Sequence, residues 1–293
     1  MSDVRSNETP SATRLGGSTA RPTLSWFPVR HIAGLLSGDQ SLESVLDEAV
    51  EFEFSHVELH HATFDIRAKG LIEERGLALS QITCAPDFTH PDESVRRSEA
   101  EQMLTLIQLA SDLASPNVRV TAGKQHAATR RDVGVGWAAM ELSTLAETAA
   151  PLGVTLCLEN HYRDRAWASD DLDFAAAPDI FMALYRALAG SKVMINFDTG
   201  QPMVVGGDDL LMLSNVLPKV RNVHVGDRGR GERSHSVLGE GQARLSELLA
   251  MLASAGYARF LTVEDGSREG AAGLRRGLGF LNGLVDRHWG ERS

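Results

Sequence analysis

Short apolar runs alternate with longer amphipathic segments along the chain from Thr23 onward. In the clearest segment, Glu99 to Leu113, apolar residues recur with the spacing of one helix face. The short runs are apolar with few interruptions, which is typical of parallel strands covered by helices. These runs predict strands at residues 24–28, 56–60, 77–85, 117–122, 154–159, 193–198, 220–225 and 258–264.

The amphipathic segments between the strands predict helices. Gly70 interrupts the weakest of these segments. The helices are expected at residues 42–52, 64–75, 99–113, 135–152, 179–188, 208–217, 245–255 and 274–288. Each strand–helix unit then takes roughly 34 residues, the size of a βαβ building block. No change of composition divides the units, so they predict one α/β domain, a (β/α)8 TIM barrel, at residues 23–293.

An open, doubly wound sheet is the alternative architecture. It would need a glycine-rich phosphate-binding loop after the first strand, and the segment VRHIAGLLSG at 29–38 does not supply one. The preceding residues 1–22 are rich in Ser, Thr, Gly and Arg and lack the apolar stretch of a secretory signal. They predict a disordered N-terminal tail.

Composition and charge exclude several classes of protein. The chain has 293 residues, of which 43% are hydrophobic, and 39 acidic against 29 basic residues give a net charge of −10. This balance disfavours nucleic acid as a partner, and no apolar run is long enough to span a membrane. Cys84 and Cys157 each lie in an apolar run, which predicts buried thiols in a reducing compartment such as the cytoplasm. The sequence leaves open whether the protein is a homo-oligomer.

Four ionisable residues lie at the ends of the last four predicted strands. Glu159 and Asp198 end strands five and six. His224 lies near the end of strand seven, and Glu264 ends strand eight. Neighbouring strands are about 4.8 Å apart, so consecutive strand ends gather these side chains in one small volume. Three carboxylates and an imidazole need a cation there, and an oxygen-rich set with one nitrogen suits Mn²⁺, Mg²⁺ or Co²⁺.

The motifs around these residues resemble those of a known family. They are LCLENH at 156–161, INFDTG at 195–200, VHVGDRGR at 223–230, HSVLGEG at 235–241 and LTVEDG at 261–266. The chain from Thr23 onward is similar to the xylose isomerase-like TIM barrels, the sugar phosphate isomerase/epimerase superfamily that includes ketose 3-epimerases and endonuclease IV. The resemblance implies one divalent metal, most often manganese, with Mg, Co or Zn as alternatives. Its ligands would be Glu159, Asp198, His224 and Glu264, and the two glutamates would also act as an acid/base pair on opposite faces of the substrate.

The same resemblance indicates which residues bind the substrate. Arg230 matches a substrate-binding arginine six residues after the metal histidine. Gln201 stands where the epimerases have a substrate-binding histidine, and it can hydrogen-bond a hydroxyl without carrying a charge. This substitution leaves the substrate preference open. Further candidates in the loops at the barrel mouth are His60, Lys124, His126, Asn160 and His235.

The implied reaction is proton abstraction next to a carbonyl, through an enediolate, by a metal-dependent isomerase or epimerase of a keto sugar or related polyol. With the same metal site, a lyase or dehydratase would instead eliminate a β-substituent from a 3-keto-glycoside or a dehydroshikimate-like acid. A barrel that binds sugar without turnover would normally have lost a metal ligand. A hydrolase like endonuclease IV needs three metals, and Gln201 and Arg233 replace two of its extra ligands.

Overall fold

Eight parallel strands form a closed barrel in chain order within residues 20–162 and 172–290, the part of the chain that the computed structural model describes. The strands are β1 (Thr23–Phe27), β2 (His56–His60), β3 (Ala78–Thr83), β4 (Asn117–Val120), β5 (Thr155–Glu159), β6 (Met194–Asp198), β7 (Val220–Val225) and β8 (Phe260–Glu264). Because β8 pairs with β1, the sheet has no open edge.

Helices connect the strands and cover the barrel. Within the described ranges they are α1 (Ile32–Ser37), α2 (Leu42–Glu51), α3 (Ala68–Glu74), α4 (Glu93–Asp112), α5 (Arg131–Ala149), α6 (Pro178–Ala187), α7 (Gln201–Val204), α8 (Asp209–Val216), α9 (Leu245–Ser254) and α10 (Gly270–Trp289). In a barrel of this kind the loops that follow the strands build the mouth at the C-terminal face.

The predicted (β/α)8 barrel is confirmed, and each predicted strand and helix occurs near its expected position. The largest difference is at α4, which begins at Glu93 rather than Glu99. The Asp92 carboxylate accepts a hydrogen bond from the Ser94 backbone N–H at 2.8 Å and so caps the helix earlier. α1 and α7 are absent from the prediction, because six and four residues are too few to show a helical period.

The strands alternate between an apolar face and a polar face, whereas the sequence predicts apolar runs without this alternation. In β6, Ile195 and Phe197 belong to the hydrophobic core. Between them, Asn196 accepts a hydrogen bond from Gln81 of β3 at 3.3 Å. Because β3 and β6 are not neighbours, this bond crosses the barrel interior. Polar residues are tolerated there because they satisfy one another.

The first described residues are tied to the end of the chain. The Arg21 guanidinium donates hydrogen bonds to the Asp286 carboxylate and the Gly290 carbonyl oxygen. Most of the predicted 1–22 tail, namely residues 1–19, lies outside the described residues, as do 163–171 and 291–293. None of the helices in the described ranges is long and apolar enough to cross a bilayer.

Two leucines on α8 provide a test of the packing. Leu213 is fully buried, whereas Leu211 is 60% exposed. We expect Leu213→Ala to lower the free energy of unfolding by about 2–5 kcal/mol, because it deletes buried methyl groups and leaves a cavity. Leu211→Ala should change it by less than about 0.5 kcal/mol. Chemical denaturation followed by circular dichroism measures both values, and equal losses would contradict this packing.

Candidate metal centre

Three of the four predicted ligands form one compact cluster. Glu159, Asp198 and His224 each offer a ligand atom, and these atoms all lie within 4.8 Å of one another. The sheet register explains the cluster: Asp198 and His224 are paired across β6 and β7, while Glu159 pairs with Asn196, two residues before Asp198. All three side chains are buried.

Glu264, the fourth predicted ligand, faces the same space from β8. A Cβ atom added to Gly226 would lie 3.3 Å from Glu264 Oε2 and 3.6 Å from Asp198 Oδ1. The two carboxylates therefore flank the backbone of Gly226. A side chain at this position would crowd both carboxylates.

Each predicted ligand has one buried polar atom without a hydrogen-bond partner among the described residues. These atoms are Glu159 Oε2, Asp198 Oδ2, His224 Nδ1 and Glu264 Oε2. Two of them make close charge contacts outside hydrogen-bond geometry: Arg119 Nε lies 2.8 Å from Glu159 Oε2, and Glu159 Oε1 lies 2.7 Å from His224 Nδ1. Buried polar atoms are almost always satisfied, so this set fits a bound cation.

The protein holds the other polar atom of three of these ligands. Asp198 Oδ1 accepts the backbone N–H groups of Gly200 and Gln201 at 2.7 and 3.0 Å. Glu159 Oε1 accepts a hydrogen bond from the Asn196 side-chain amide at 2.7 Å. His224 Nε2 lies 2.8 Å from Glu58 Oε2. Each of these side chains is thus anchored at one atom and presents the other.

Burial and charge shift the pKa values of these groups in opposite directions. Burial would raise the pKa of Glu159, but the charges of Arg119 and His224 outweigh it and hold that pKa well below its usual range. Burial would lower the pKa of His224, but Glu58 and Glu159 raise it well above its usual value. The pKa of Glu264 is raised well above its usual value by burial and by the neighbouring Asp198 carboxylate.

Two buried charges at this site are missing from the sequence prediction. Glu58 on β2 and Arg119 on β4 contact His224 and Glu159, respectively. Each is the single charged residue in the middle of a short apolar run, HVELH or NVRVTA. A charge at an inward-facing strand position needs a partner inside the barrel. That signal was available in the sequence, but the identity of the partner was not.

A cavity of about 340 Å³ lies against the ends of β1, β2, β3 and β8. Its lining includes Phe27, His60, Arg119, Lys124, His161 and Glu264. Burial, together with the charges of His61 and Arg119, lowers the pKa of His60 to about 3, so this imidazole is neutral. His60 Nδ1 accepts the Ala62 backbone N–H at 3.3 Å, and Nε2 therefore carries the ring proton.

Three other predicted substrate residues are held by protein groups. Asn160 bonds the backbone of Asp198 through both ends of its amide, at 2.8 and 3.0 Å, and so joins β5 to β6. Gln201 Oε1 accepts the Tyr162 backbone N–H, and its Nε2 is buried without a hydrogen-bond partner in the described structure. His126 lies 2.9 Å from the carboxylate of Asp87 and is not part of the cavity lining given above.

The loop after β7 brings a different arginine to the site than the one predicted. Arg230 is exposed, and its backbone N–H bonds Gln242. Arg228 is buried, with its guanidinium 2.8 Å from His235 Nε2 and 3.9 Å from Glu264 Oε2. His235 Nδ1 also lies 3.9 Å from Glu264 Oε2, and burial together with the Arg228 charge lowers the pKa of His235.

Asp227 organises this loop. Its buried carboxylate accepts the backbone N–H groups of Gly239, Gly241 and Ala243, each at 3.0 Å, and that of Arg228 at 2.9 Å. One side chain therefore connects the segment after β7 with the segment that leads into α9.

We expect Asp227→Ala to loosen this connection. The amides of Gly239, Gly241 and Ala243 should exchange with deuterium at least about tenfold faster, because each loses an acceptor bond of roughly 1.5–3 kcal/mol. Amide exchange followed by mass spectrometry measures the effect. Glu240→Ala, which changes an exposed acid in the same loop, is the control and should leave the rates unchanged.

Comparison with known proteins agrees with this architecture. Fructoselysine 3-epimerase from Shigella flexneri is 25% identical over 242 residues, 76% of this chain and 84% of that protein. The structure of a D-tagatose 3-epimerase-like protein matches with a TM-score of 0.75 at 18% identity, covering 90% of this chain and 97% of the other. The IOLI protein with a binding zinc atom matches with a TM-score of 0.73 at 13% identity, covering 91% and 99%. Residues 46–284 match the sequence profile of one family, and on that basis the chain belongs to the xylose isomerase-like TIM barrels.

Proposed function

We propose that this protein is a metal-dependent isomerase or epimerase that acts on a keto sugar or a related polyol. The observation that carries the proposal is a set of four buried ligand atoms, on Glu159, Asp198, His224 and Glu264, that have no hydrogen-bond partner among the described residues. The relatives named fructoselysine 3-epimerase and D-tagatose 3-epimerase-like protein support the same class of reaction.

The donor set suits one divalent cation. Three carboxylates and one imidazole favour Mn²⁺, Mg²⁺ or Co²⁺, and manganese is our first choice. Zinc is an alternative, and the IOLI protein was crystallised with a zinc atom. When bound, the cation would supply the Lewis acidity that polarises a substrate carbonyl and favours loss of the neighbouring proton.

Glu264 is the glutamate that we propose to exchange protons with the substrate carbon. It lines the cavity, and in the metal-free protein burial and the Asp198 carboxylate raise its pKa, which favours uptake of a proton. Glu159 is enclosed by Arg119, Asn196 and His224, and its low pKa makes it a weaker base. An epimerase needs a group on each face of the enediolate, and Glu159 is our candidate for the second face.

Polar groups around the cavity would bind the substrate hydroxyls. His60, with its proton on Nε2, is a neutral donor, and Lys124 is a cationic one. Gln201 has a buried amide nitrogen to offer. At the loop after β7, Arg228 and His235 lie beside Glu264, and we propose them as substrate contacts ahead of Arg230, whose side chain is exposed.

We also propose a cytoplasmic location. Both cysteines are buried thiols, and burial raises the pKa of Cys84 to about 12, so it remains protonated and unreactive. This agrees with a reducing compartment.

The protein should bind about one Mn²⁺ per chain, and more tightly as the pH rises. Before binding, the raised pKa values keep a proton on Glu264 and a second proton on His224. Both protons must leave for these groups to act as ligands, so affinity should rise by up to about tenfold per pH unit for each proton released. Calorimetric titrations at several pH values, in buffers of different ionisation enthalpy, measure the affinity and the protons released.

Asp198→Asn should weaken Mn²⁺ binding by at least about tenfold, because the amide removes the charge of a ligand. Asp132→Asn makes the same chemical change at an exposed surface carboxylate and is the matched control. Two or three tightly bound metals per chain would contradict the single-ion centre and favour hydrolase chemistry.

Glu264→Gln should separate metal binding from catalysis. The amide keeps an oxygen donor but cannot take up a proton, so turnover at saturating Mn²⁺ should fall by at least about a hundredfold. The assay incubates the Mn²⁺-loaded protein with free ketoses and 3-keto-glycosides in heavy water. The wild type should place deuterium on the carbon next to the carbonyl.

Each other outcome of this assay has a distinct meaning. Wild-type turnover by Glu264→Gln would contradict its role as the base. Product without carbon-bound deuterium would indicate a hydride shift, or a shielded proton that returns before it exchanges with solvent. Release of a β-substituent would identify a lyase or dehydratase that uses the same proton abstraction.

A further inference from the structure

A buried carboxylate lies behind the metal centre and has no part in the chemistry described above. Glu58 is on β2, three strands around the closed barrel from His224 on β7. Both side chains are fully buried, and Glu58 Oε2 is 2.8 Å from His224 Nε2. The other ring nitrogen, Nδ1, is the one beside Glu159 Oε1. The histidine is therefore held between a carboxylate behind it and a carboxylate of the centre.

We propose that Glu58 is a positioning residue that fixes the ring orientation and tautomer of His224. A carboxylate can only accept, so it requires the ring proton to be on Nε2. The contact of the other nitrogen, Nδ1, with Glu159 Oε1 lacks hydrogen-bond geometry, so in the neutral imidazole the lone pair is on Nδ1 and would be available to a metal ion. This inference rests on the metal-dependent function proposed above and adds a residue that the family resemblance did not indicate.

Glu58 is itself held in place by a neighbour inside the barrel. The Gln81 side-chain amide donates to Glu58 Oε2 at 3.0 Å, and the same nitrogen lies 3.3 Å from Asn196 Oδ1. Asn196 in turn donates to Glu159 Oε1 at 2.7 Å. One glutamine therefore supports two ligands at once, His224 through Glu58 and Glu159 through Asn196.

Packing against Phe27 also limits rotation of the His224 ring. The Phe27 ring packs on the His224 ring with centroids 5.6 Å apart and an interplanar angle of 32°. Phe27 restrains the plane, but an apolar ring cannot choose between the two tautomers. Two polar groups lie beside Nε2, the Glu58 carboxylate at 2.8 Å and the Gln81 amide nitrogen at 3.4 Å, and the nearer carboxylate selects the tautomer with the proton on Nε2.

Substitution of Glu58 tests this role through metal affinity. Glu58→Ala removes the acceptor and should weaken Mn²⁺ binding by about 10–100-fold, the usual effect of losing a hydrogen-bond partner of a metal-bound histidine. Glu58→Gln keeps an acceptor oxygen of the same size and should recover most of the affinity. Ser80→Ala is the control. Ser80 is fully buried and hydrogen-bonds Ser25 at 2.6 Å, without touching a proposed ligand. The Mn²⁺ affinity of this variant should therefore match that of the wild type.

A spectroscopic measurement separates positioning from a general loss of structure. In zinc-loaded protein with ¹⁵N-labelled histidine, the His224 ring should show a proton on Nε2 that exchanges slowly with solvent. Loss of the signal in His224→Ala identifies it. Glu58→Gln should keep this proton with faster exchange, and Glu58→Ala should lose its protection.

The outcomes distinguish this inference from the function on which it rests. If the wild type binds neither Mn²⁺ nor Zn²⁺, the metal-dependent function fails and takes the role of Glu58 with it. If the wild type binds metal and both Glu58 variants bind it equally well, only the role of Glu58 is overturned. Equal losses in Glu58→Ala and Ser80→Ala would also overturn it, because they would show a general effect of cavities in the interior. If Glu58→Ala does not fold, the spectrum of Glu58→Gln decides. A His224 ring proton on Nδ1 that exchanges with solvent at the wild-type rate contradicts the proposal.

Discussion

Charged side chains buried inside the barrel need compensating charges or protons, and this requirement governs how the interior is arranged. Glu159, Asp198 and His224 are buried within a few ångströms of one another, and a buried carboxylate costs several kcal/mol unless it is paired. Arg119 pairs with Glu159, and His224 lies between Glu159 and Glu58. The Glu264 carboxyl avoids the cost of a buried charge differently, because its raised pKa lets it remain neutral. A bound cation would displace the protons on Glu264 and His224 and would compensate the carboxylates with its own positive charge.

The closed sheet makes this concentration of charge achievable. Parallel register brings Asp198 beside His224, and hydrogen bonds between non-adjacent strands join the two sides of the interior. Gln81 illustrates the principle, because its single amide contacts groups on β2 and β6. In an open sheet those strands would be too far apart to share a side chain. The fold therefore acts on the chemistry by fixing distances that the local sequence cannot encode.

The difference between local sequence pattern and contacts across the barrel explains how much of the site the sequence could predict. Glu159, Asp198 and Glu264 are the last residues of their strands and His224 is the last but one, and topology alone brings these strand ends together. Glu58 and Arg119 lie within their strands, and their partners depend on the register and curvature of the barrel. The loop after β7 follows no regular period. Asp227 fixes its path through backbone N–H groups more than ten residues away in the chain, and this path buries Arg228 and exposes Arg230.

The proposed ligands come from β5, β6, β7 and β8, which are four consecutive strands and half of the barrel wall. An ion that binds all four acts as a crosslink across this half, and it binds only the folded chain. The equilibrium between folded and unfolded protein then depends on the supply of metal in the cell. When that supply falls, more of the chain is unfolded at any moment and open to proteases. The abundance of the enzyme would therefore follow metal nutrition even with synthesis unchanged.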